Sequence, residues 1–256
     1  MTPLEERIEY VDQHTPEWLA VRRGCVTASR VKALRARKRG DGELKERRHL
    51  RFQLLAEILK DETTEHYVSP AMDWGIQEEP RAKAEYEMRT GYSLEPIGFL
   101  SHPTLPRAGC SPDGWVRPDG FAEFKCPNTD THLEYLDAGV VPADYLPQLY
   151  WQMACAGPEI KWIDFVSYDR RIDKKFQLFI CRLERDAAVE KAIADMEKEV
   201  EAFLAELNGM AQRLMDNAKF ISREDKLRES VRRASKYQTD DDLRAELASI
   251  DGPLVP

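Results

Sequence analysis

The sequence predicts an α/β domain with a central mixed sheet flanked by helices, followed by a long helical extension. Three features of the 256-residue chain support this prediction. Helical patterns dominate up to residue 90, short β-type runs occupy the middle of the chain, and helical periodicity returns beyond residue 184. Strands with helices on both sides in sequence are typical of an α/β architecture.

Four helices are predicted before the strands. Thr15 is a suitable N-cap, Pro16 suits the first helical position, and Gly24 predicts the end of that helix. Three further helices are predicted at 27–40, 43–60 and 71–90. Pro80 marks a start or a kink within the last of them, because proline lacks the N–H that an interior turn uses.

Short runs of apolar residues predict the strands. The predicted strands cover 94–100, 109–116, 121–126, 162–168 and 176–182, with a helix at 144–155 between the third and the fourth. The turn Arg117-Pro118-Asp119-Gly120 joins the second strand to the third and predicts a hairpin.

The C-terminal part is predicted to be a long helix with an apolar seam. Its residues step alternately by four and three positions, as in a heptad repeat: Val189, Ile193, Met196, Val200, Phe203, Leu207, Met210 and Leu214. The seam packs either on its own domain or against another subunit, and one helix does not distinguish these. We predict a core at 1–185 and an extension at 186–256, with 216–256 forming a short helix or a mobile tail.

Composition excludes several classes of protein. The chain is 42% hydrophobic, enough for one well-cored domain with an extension, yet it has no run of 18 apolar residues that would cross a membrane. Its acidic N-terminus lacks the pattern of a secretory signal. The five cysteines are scattered, and their number is odd, which is typical of reduced thiols. We therefore expect a cytoplasmic protein without a membrane segment.

The net charge of −8, taken alone, argues against binding to nucleic acid. The distribution is uneven, because residues 20–60 hold 13 Lys and Arg against 4 Asp and Glu. This segment carries +9 and the remainder of the chain −17. The basic segment is either a solvated helix face or a surface that meets phosphate, and charge alone leaves both possibilities open.

The stretch from Asp113 to Lys125 carries the strongest chemical signal. Asp113 ends one predicted strand and Glu123 lies on the next, so a hairpin brings the two carboxylates together to share a hard cation. Strand alternation places Glu123 and Lys125 on one face, and the backbone carbonyl of Phe124 is free to be a third oxygen ligand. Mg²⁺ suits these ligands, and the lysine is placed to act on an attacking water. A surface Glu–Lys pair beside a turn is the alternative.

Short segments around this stretch match one family in the order in which they occur there. They are WLAVRRG with VTAS (18–29), WGIQEE (74–79), AGCSPDG (108–114), AEFKCP (122–127), YLPQ (145–148) with Gln152, and Tyr168-Asp169. Together they resemble the bacteriophage lambda exonuclease and YqaJ-like viral recombinase family of the PD-(D/E)xK nuclease superfamily. The resemblance covers residues 15–185 and implies a restriction-endonuclease-like core.

The resemblance implies a site for two Mg²⁺ ions, for which Mn²⁺ is an expected substitute. Asp113, Glu123 and the Phe124 carbonyl would bind the first ion. Asp113 would be shared with the second, at or near Glu79. Glu78 is a competitor, but Glu79 has the family's spacing from the preceding tryptophan.

The resemblance also implies roles around the reacting phosphate. Lys125 would act on the nucleophilic water, and Gln148 would help position that water. Trp18 would stack on the terminal bases of DNA, although a tryptophan that packs a helix onto the core is the alternative.

A pocket for a 5′-phosphate is implied at Arg22, Ser29 and Ser111, since a guanidinium and hydroxyls suit a phosphate. The family has a second arginine six residues after the catalytic lysine, where this chain has Thr131. Two neighbouring residues are candidates to complete the pocket: Arg23 and His132.

The activity that the resemblance implies is Mg²⁺-dependent 5′→3′ digestion of one strand at the ends of linear double-stranded DNA. The 3′ overhang would serve a single-strand annealing recombination protein, in the host cytoplasm of a phage or prophage. A homotrimeric ring is implied, whose channel the basic segment would line. The alternatives are a restriction-like or junction-resolving endonuclease and a catalytically inert protein that binds DNA ends.

Overall fold

The computed structural model describes residues 2–36, 43–60 and 69–234. The chain divides into two compact units, Met1–Leu207 and Asn208–Pro256. The predicted mixed α/β architecture with a long C-terminal helix is confirmed. No helix within the described ranges is long and apolar enough to cross a bilayer.

The described residues form nine strands and seven α-helices. The strands are β1 (Ile8–Glu9), β2 (Val26–Thr27), β3 (Leu94–Glu95), β4 (Phe99–Ser101), β5 (Ala108–Cys110), β6 (Gly114–Val116), β7 (Gly120–Lys125), β8 (Trp162–Tyr168) and β9 (Leu178–Glu184). The helices are α1 (Pro16–Val21), α2 (Ala28–Arg35), α3 (Lys45–Lys60), α4 (Pro70–Thr90), α5 (Thr129–Ala138), α6 (Leu146–Ala156) and α7 (Ala187–Ala234).

The strands form two mixed sheets where one central sheet was predicted. The first has the order β1-β4-β5-β2 and the second the order β3-β6-β7-β8-β9. Two predicted strands, 94–100 and 109–116, are each divided between the sheets. In the first of these, Gly98 lies so close to the neighbouring backbone that a Cβ there would come within 2.3 Å of the carbonyl oxygen of Glu9. In the second, the chain leaves β5 at Cys110 and enters β6 at Gly114.

Strand β7 lies at the centre of the second sheet. It pairs antiparallel with β6 and parallel with β8, where Glu123 is in register with Phe165. A parallel neighbour requires a crossover, which here contains α5 and α6. Helix α5 was not predicted, although Asn128 caps it by accepting a hydrogen bond from Thr131 N at 2.9 Å and Gly139 ends it with a φ of 64°.

Helix α4 runs without a break from Ser69, its N-cap, to Gly91. Pro80 lies inside it, so the alternative in which the proline starts a new helix is wrong. The helix is held to the second sheet by Tyr86, whose ring meets Phe124 edge-on with centroids 5.5 Å apart. The Tyr86 hydroxyl also donates to Asp164 on β8 at 2.7 Å.

The apolar seam of α7 is buried inside the first unit as far as Leu207. Phe203 is fully buried, and Arg47 of α3 lies over its ring at 4.8 Å. The seam within this unit therefore packs on its own domain, which is one of the two possibilities that the sequence left open. Helix α7 continues to Ala234. The prediction of a separate short helix or a mobile tail from residue 216 onward is therefore wrong for residues 216–234. Residues 235–256 lie outside the described ranges.

Much of the positive charge of the basic segment is neutralised within the first unit. The ion pairs are Arg30–Glu57, Lys32–Asp144, Arg35–Glu199, and Arg47 and Arg51 with Glu43 and Glu206. Positions 37–42 of the segment lie outside the described residues. Part of the segment is thus ion-paired within the chain, while Arg22 of the same segment lines the cavity described below.

Phe203→Ala should lower the free energy of unfolding by about 3–5 kcal/mol, because it removes a fully buried ring and leaves a cavity. Urea unfolding monitored by circular dichroism would measure this. Leu214→Ala is the matched control on the same helix. With 42% of Leu214 exposed, the control should change stability by less than about 0.5 kcal/mol. A loss below about 1 kcal/mol in Phe203→Ala would contradict the packing described here.

Candidate active site

Strand β7 divides its side chains between the candidate site and the core. Phe124 is buried in the cluster that joins α4 to the second sheet. Glu123 and Lys125 point to the opposite face, because successive side chains of a strand alternate. Only 2% of the Glu123 side chain is exposed, against 25% for Lys125.

The carboxylate of Glu123 accepts hydrogen bonds from three side chains. Lys125 Nζ and Gln148 Nε2 donate to Oε1, and Gln152 Nε2 donates to Oε2. Gln148 and Gln152 are one turn apart on α6, so both amides reach the same carboxylate. Sequence reasoning gave a role to Gln148 but none to Gln152, although their i, i+4 spacing was a visible signal.

Asp113 lies in the short segment between β5 and β6, where the chain passes from one sheet to the other. Its Oδ2 accepts a hydrogen bond from Phe124 N at 2.7 Å. This bond fixes Asp113 beside β7, so the structure brings Asp113, Glu123 and Lys125 together. Asp113 is not at the end of one continuous strand, as the sequence had suggested.

Of the two adjacent acids on α4, Glu79 faces the candidate site. It lines the same cavity as Lys125 and forms an ion pair with Lys83 at 2.7 Å. Glu78 is directed elsewhere, to Arg81 at 2.8 Å and Arg170 at 2.9 Å. The geometry therefore agrees with the preference for Glu79 over Glu78.

The three carboxylates repel one another. Burial, followed by the charges of Glu123 and Glu79, raises the pKa of Asp113 well above its ordinary value. Burial by itself would lower the pKa of Lys125, but Glu123 and Asp113 together raise it above the usual value. Lys125 is therefore a protonated counter-charge to the neighbouring carboxylates.

The donor set fits a hard divalent cation. Within the described residues, no three His, Cys, Asp or Glu side chains are arranged so that they alone could bind a metal ion. The oxygen donors are carboxylates that destabilise one another, with the Phe124 carbonyl beside them, and such oxygens are the ligands that Mg²⁺ takes. A bound cation would relieve the repulsion that Asp113 experiences.

A cavity of about 960 Å³ adjoins these groups. Glu79, Phe124 and Lys125 line it, and so do several residues that the sequence placed at a phosphate pocket or beside it: Trp18, Arg22, Arg23 and Ser29. The cavity thus connects Glu79 and Lys125 with the cationic side chains of Arg22 and Arg23.

Arg22, Ser111 and Trp18 are bonded to one another at the cavity. Ser111 Oγ accepts from Arg22 Nη1 at 2.7 Å and from Trp18 Nε1 at 3.0 Å. The guanidinium of Arg22 also lies over the Trp18 ring at 3.8 Å. Burial, and next the charge of Arg30, lower the pKa of Arg22 to about 10. Ser29 is exposed, with its Oγ 3.3 Å from Thr27 Oγ1.

His132 does not belong to this group, and the idea that it completes the phosphate pocket is wrong. Its ring is fully buried, with Nδ1 at 2.7 Å from Ser167 Oγ and Nε2 at 2.8 Å from the Phe176 carbonyl. Two cavity residues that sequence reasoning missed are Arg30 and Glu57. They lie on different helices, so no local pattern pointed to their pairing.

The buried carboxylates, the lysine and the cationic cavity are together suited to chemistry on a phosphate ester. The model of the YqaJ-like viral recombinase domain matches residues 17–159. The chain therefore belongs to the YqaJ-like viral recombinase family. No curated protein gives a significant match.

Solved structures of similar proteins agree with this assignment. Two structures of LHK-Exo, the alkaline exonuclease of Laribacter hongkongensis, are 39% and 38% identical to this chain, and the 39% one is a complex with dAMP. Each match has a TM-score of 0.73 and covers 81% of this chain and 100% of the LHK-Exo chain. A phage related exonuclease from Haemophilus somnus 129PT is 12% identical, with a TM-score of 0.52 over 73% of this chain and 96% of that chain. The last likeness concerns the fold alone.

Asp113→Asn should stabilise the metal-free protein, because the amide keeps an oxygen acceptor for Phe124 N and removes a repelled charge. An increase of about 2–4 °C in Tm, the shift that corresponds to 1 kcal/mol in a domain of this size, is expected in EDTA at neutral pH. Since the pKa of Asp113 is raised in the folded state, the wild type should gain stability as the pH falls. The difference in Tm between the variant and the wild type should therefore become smaller at lower pH.

Addition of Mg²⁺ should make the wild type more thermally stable than the Asp113→Asn variant. The wild type should gain thermal stability by ligand linkage, and Asp113→Asn should gain much less. Thermal unfolding with and without Mg²⁺ measures both effects. Equal Mg²⁺ shifts in the two proteins would remove Asp113 from the metal site.

Proposed function

We propose that this chain is a Mg²⁺-dependent exonuclease that digests one strand of linear double-stranded DNA in the 5′→3′ direction. The observation that carries the proposal is the grouping of Asp113, Glu123 and Lys125, of which Lys125 lines a cavity that Arg22 also lines. Family membership and the likeness to an alkaline exonuclease support phage-type exonuclease activity. The dAMP bound to LHK-Exo supports a deoxynucleotide product.

The oxygen donors would hold two ions. Asp113, Glu123 and the Phe124 carbonyl would bind one Mg²⁺, and Asp113 with Glu79 would bind the second, with Mn²⁺ as a substitute. The bound ions would supply charge neutralisation at the scissile phosphate and a lowered pKa for the attacking water. Glu123 is held for this role by the amides of α6.

Lys125 and Gln148 would handle the attacking water. In the metal-free protein both donate to Glu123. With the charge of Glu123 shared by a cation, the lysine ammonium would turn its donors to the water and orient it toward phosphorus. The Gln148 amide, which lies beside Lys125, would form a second hydrogen bond to that water and so fix its orientation.

The cationic part of the cavity would hold the 5′ end of the DNA. Arg22, Ser111 and Ser29 would bind the terminal phosphate through charge-assisted and hydroxyl hydrogen bonds. Trp18 would meet the terminal base. Its ring is anchored by hydrogen bonds from Nε1 to Ser111 and to the Gly98 carbonyl at 3.0 Å, and by the stacked Arg22. This anchoring packs the ring against the protein, and it would also hold the ring in place for stacking on the terminal base.

We extend the proposal to assembly and partners on the basis of the family likeness. The chain would form a homotrimeric ring through which duplex DNA passes. The 3′ overhang would be delivered to a single-strand annealing recombination protein in the cytoplasm of a bacterial host. The charge that contacts DNA would come from side chains that line the cavity more than from Arg35 and Arg51, which form ion pairs on α2 and α3 and do not line it.

Digestion of three DNA substrates with Mg²⁺ tests the proposed function. A linear duplex labelled at one 5′ end should release labelled mononucleotide at once, and a duplex labelled at a 3′ end should keep its label until late. A covalently closed circle should remain intact. Cleavage of the circle would favour an endonuclease, early loss of the 3′ label would reverse the polarity, and full activity in EDTA would exclude a metal mechanism.

Lys125→Ala should lower the rate of digestion by about 10²–10⁴, because it removes a group that acts on the attacking water. Binding to duplex ends should persist in the presence of Ca²⁺. Single-turnover digestion and fluorescence anisotropy separate the two effects. Lys161→Ala is the matched control, since Lys161 is exposed and its side chain donates only to the Pro158 carbonyl among the hydrogen bonds of the described residues. A Lys125→Ala enzyme that retains a tenth of the activity would not fit the proposed mechanism.

A further inference from the structure

The cavity contains a second guanidinium beside Arg22. Arg30 follows Ser29 on α2 and lines the same cavity, with 16% of its side chain exposed. Glu57 of α3 holds it, with Nη2 at 2.8 Å from Oε1 and Nη1 at 3.2 Å from Oε2. Nη1 also donates to the Cys25 carbonyl at 3.0 Å. Arg30 is therefore fixed in direction at the cavity wall.

The contacts of Arg30 leave part of its guanidinium for a ligand. A guanidinium has five N–H donors, and the three hydrogen bonds to described residues use both donors of Nη1 and one of Nη2. The Nε donor and the second Nη2 donor remain. The guanidinium of Arg22 makes one hydrogen bond within the described part of the chain, to Ser111, so most of its donors remain as well.

The two guanidinium groups favour an anionic ligand in this part of the cavity. The charge of Arg30 is the second cause, after burial, that lowers the pKa of Arg22 to about 10, so Arg22 stays protonated at neutral pH. Glu57 supplies one negative charge, but only 2% of it is exposed and it also accepts from Gly24 N at 2.8 Å. The positive charge of Arg22 has no carboxylate partner among the described ion pairs. A terminal phosphate, with a charge of about −1.5 to −2 at pH 7, would balance it.

We propose that Arg30 is the second cationic residue of the 5′-phosphate pocket, in the role that Thr131 cannot fill. This inference rests on the proposed 5′-end function. Thr131 has no charge. It lies in the first turn of α5, where its N–H donates a hydrogen bond to the side chain of the N-cap residue Asn128. Arg30 and Arg22 would grip the phosphate from α2 and from the end of α1, with Glu57 orienting Arg30. The pair makes the cavity specific for a phosphorylated 5′ end.

The test is the binding preference for 5′-phosphorylated over 5′-hydroxyl duplex, measured by anisotropy with Ca²⁺ in place of Mg²⁺. Arg30→Gln alone would leave Glu57 buried and unpaired, so the main variant is Arg30→Gln with Glu57→Gln. The two amides retain hydrogen bonding without charge. The preference should fall by about tenfold or more, the effect of losing one charge-assisted contact. Arg30→Lys, which keeps the ion pair but loses the planar fork, should reduce the preference by a smaller factor.

Three controls decide between explanations. Arg35→Gln removes an equal charge from α2 at a residue that pairs with Glu199 and does not line the cavity, so the preference should be unchanged. Glu57→Gln alone should keep or increase the preference, since Arg30 keeps its charge. An unchanged preference in both Arg30 variants would overturn the proposal. So would a loss seen in Arg23→Gln but not in the Arg30 variants.

The proposed function and this inference fail in different ways. A wild-type protein that digests linear duplex but binds both ends equally would overturn the inference and leave the nuclease standing. A wild-type protein that prefers the phosphorylated end but releases no nucleotide with Mg²⁺ would overturn the proposed function. The role of Arg30 would still be judged by the binding preference.

Discussion

The hydrogen-bonded carboxylate of Glu123 is the interaction on which the site depends. A carboxylate that is 2% exposed is costly unless it is paired, and this one is satisfied by a lysine and two amides. Removal of a donor would leave a buried charge underbonded, which destabilises more strongly than loss of a surface pair. The same contacts that stabilise the fold therefore hold the carboxylate in position.

This arrangement requires the parallel pairing of β7 with β8. A hairpin would have returned the chain directly, whereas the parallel pairing forces a crossover whose second helix, α6, carries Gln148 and Gln152 back over Glu123. The register is demanding, because a shift of one residue would turn Phe124 to the site and Glu123 into the apolar cluster around Tyr86.

The junction between the two sheets links the carboxylates to the cationic cavity. Ser111 and Asp113 are two residues apart in the segment between β5 and β6. Ser111 accepts hydrogen bonds from Arg22 and Trp18, while Asp113 accepts from the backbone of β7. A displacement of this short segment would move Ser111 and Asp113 together, so under the proposed function it would preserve the spacing between the terminal phosphate and the reacting phosphate.

The sequence predicted the elements that depend on local pattern and missed those that depend on distant contacts. Strand β8 and helix α4 follow from apolar runs and end signals, and the motif residues Asp113, Glu123 and Lys125 meet as their spacing suggested. The division into two sheets depends on the backbone pairing of short strands, such as β2 with β5, which their few residues do not specify. Likewise, His132 looked available in sequence but is enclosed by partners 35 and 44 residues away.

The charges in the first unit suggest an order of events under the proposed function. Near β7, Glu79, Asp113 and Glu123 would repel a scissile phosphate until a cation reduces their charge. Arg22 at the cavity can attract a phosphate without a bound metal, because its guanidinium is cationic at neutral pH. A phosphorylated DNA end is therefore attracted first to Arg22, and the reacting phosphate approaches the carboxylates only when the metal is in place. An asymmetry of this kind favours cleavage near a bound end over cleavage at an internal site, where no terminal phosphate is available to occupy the cationic part of the cavity.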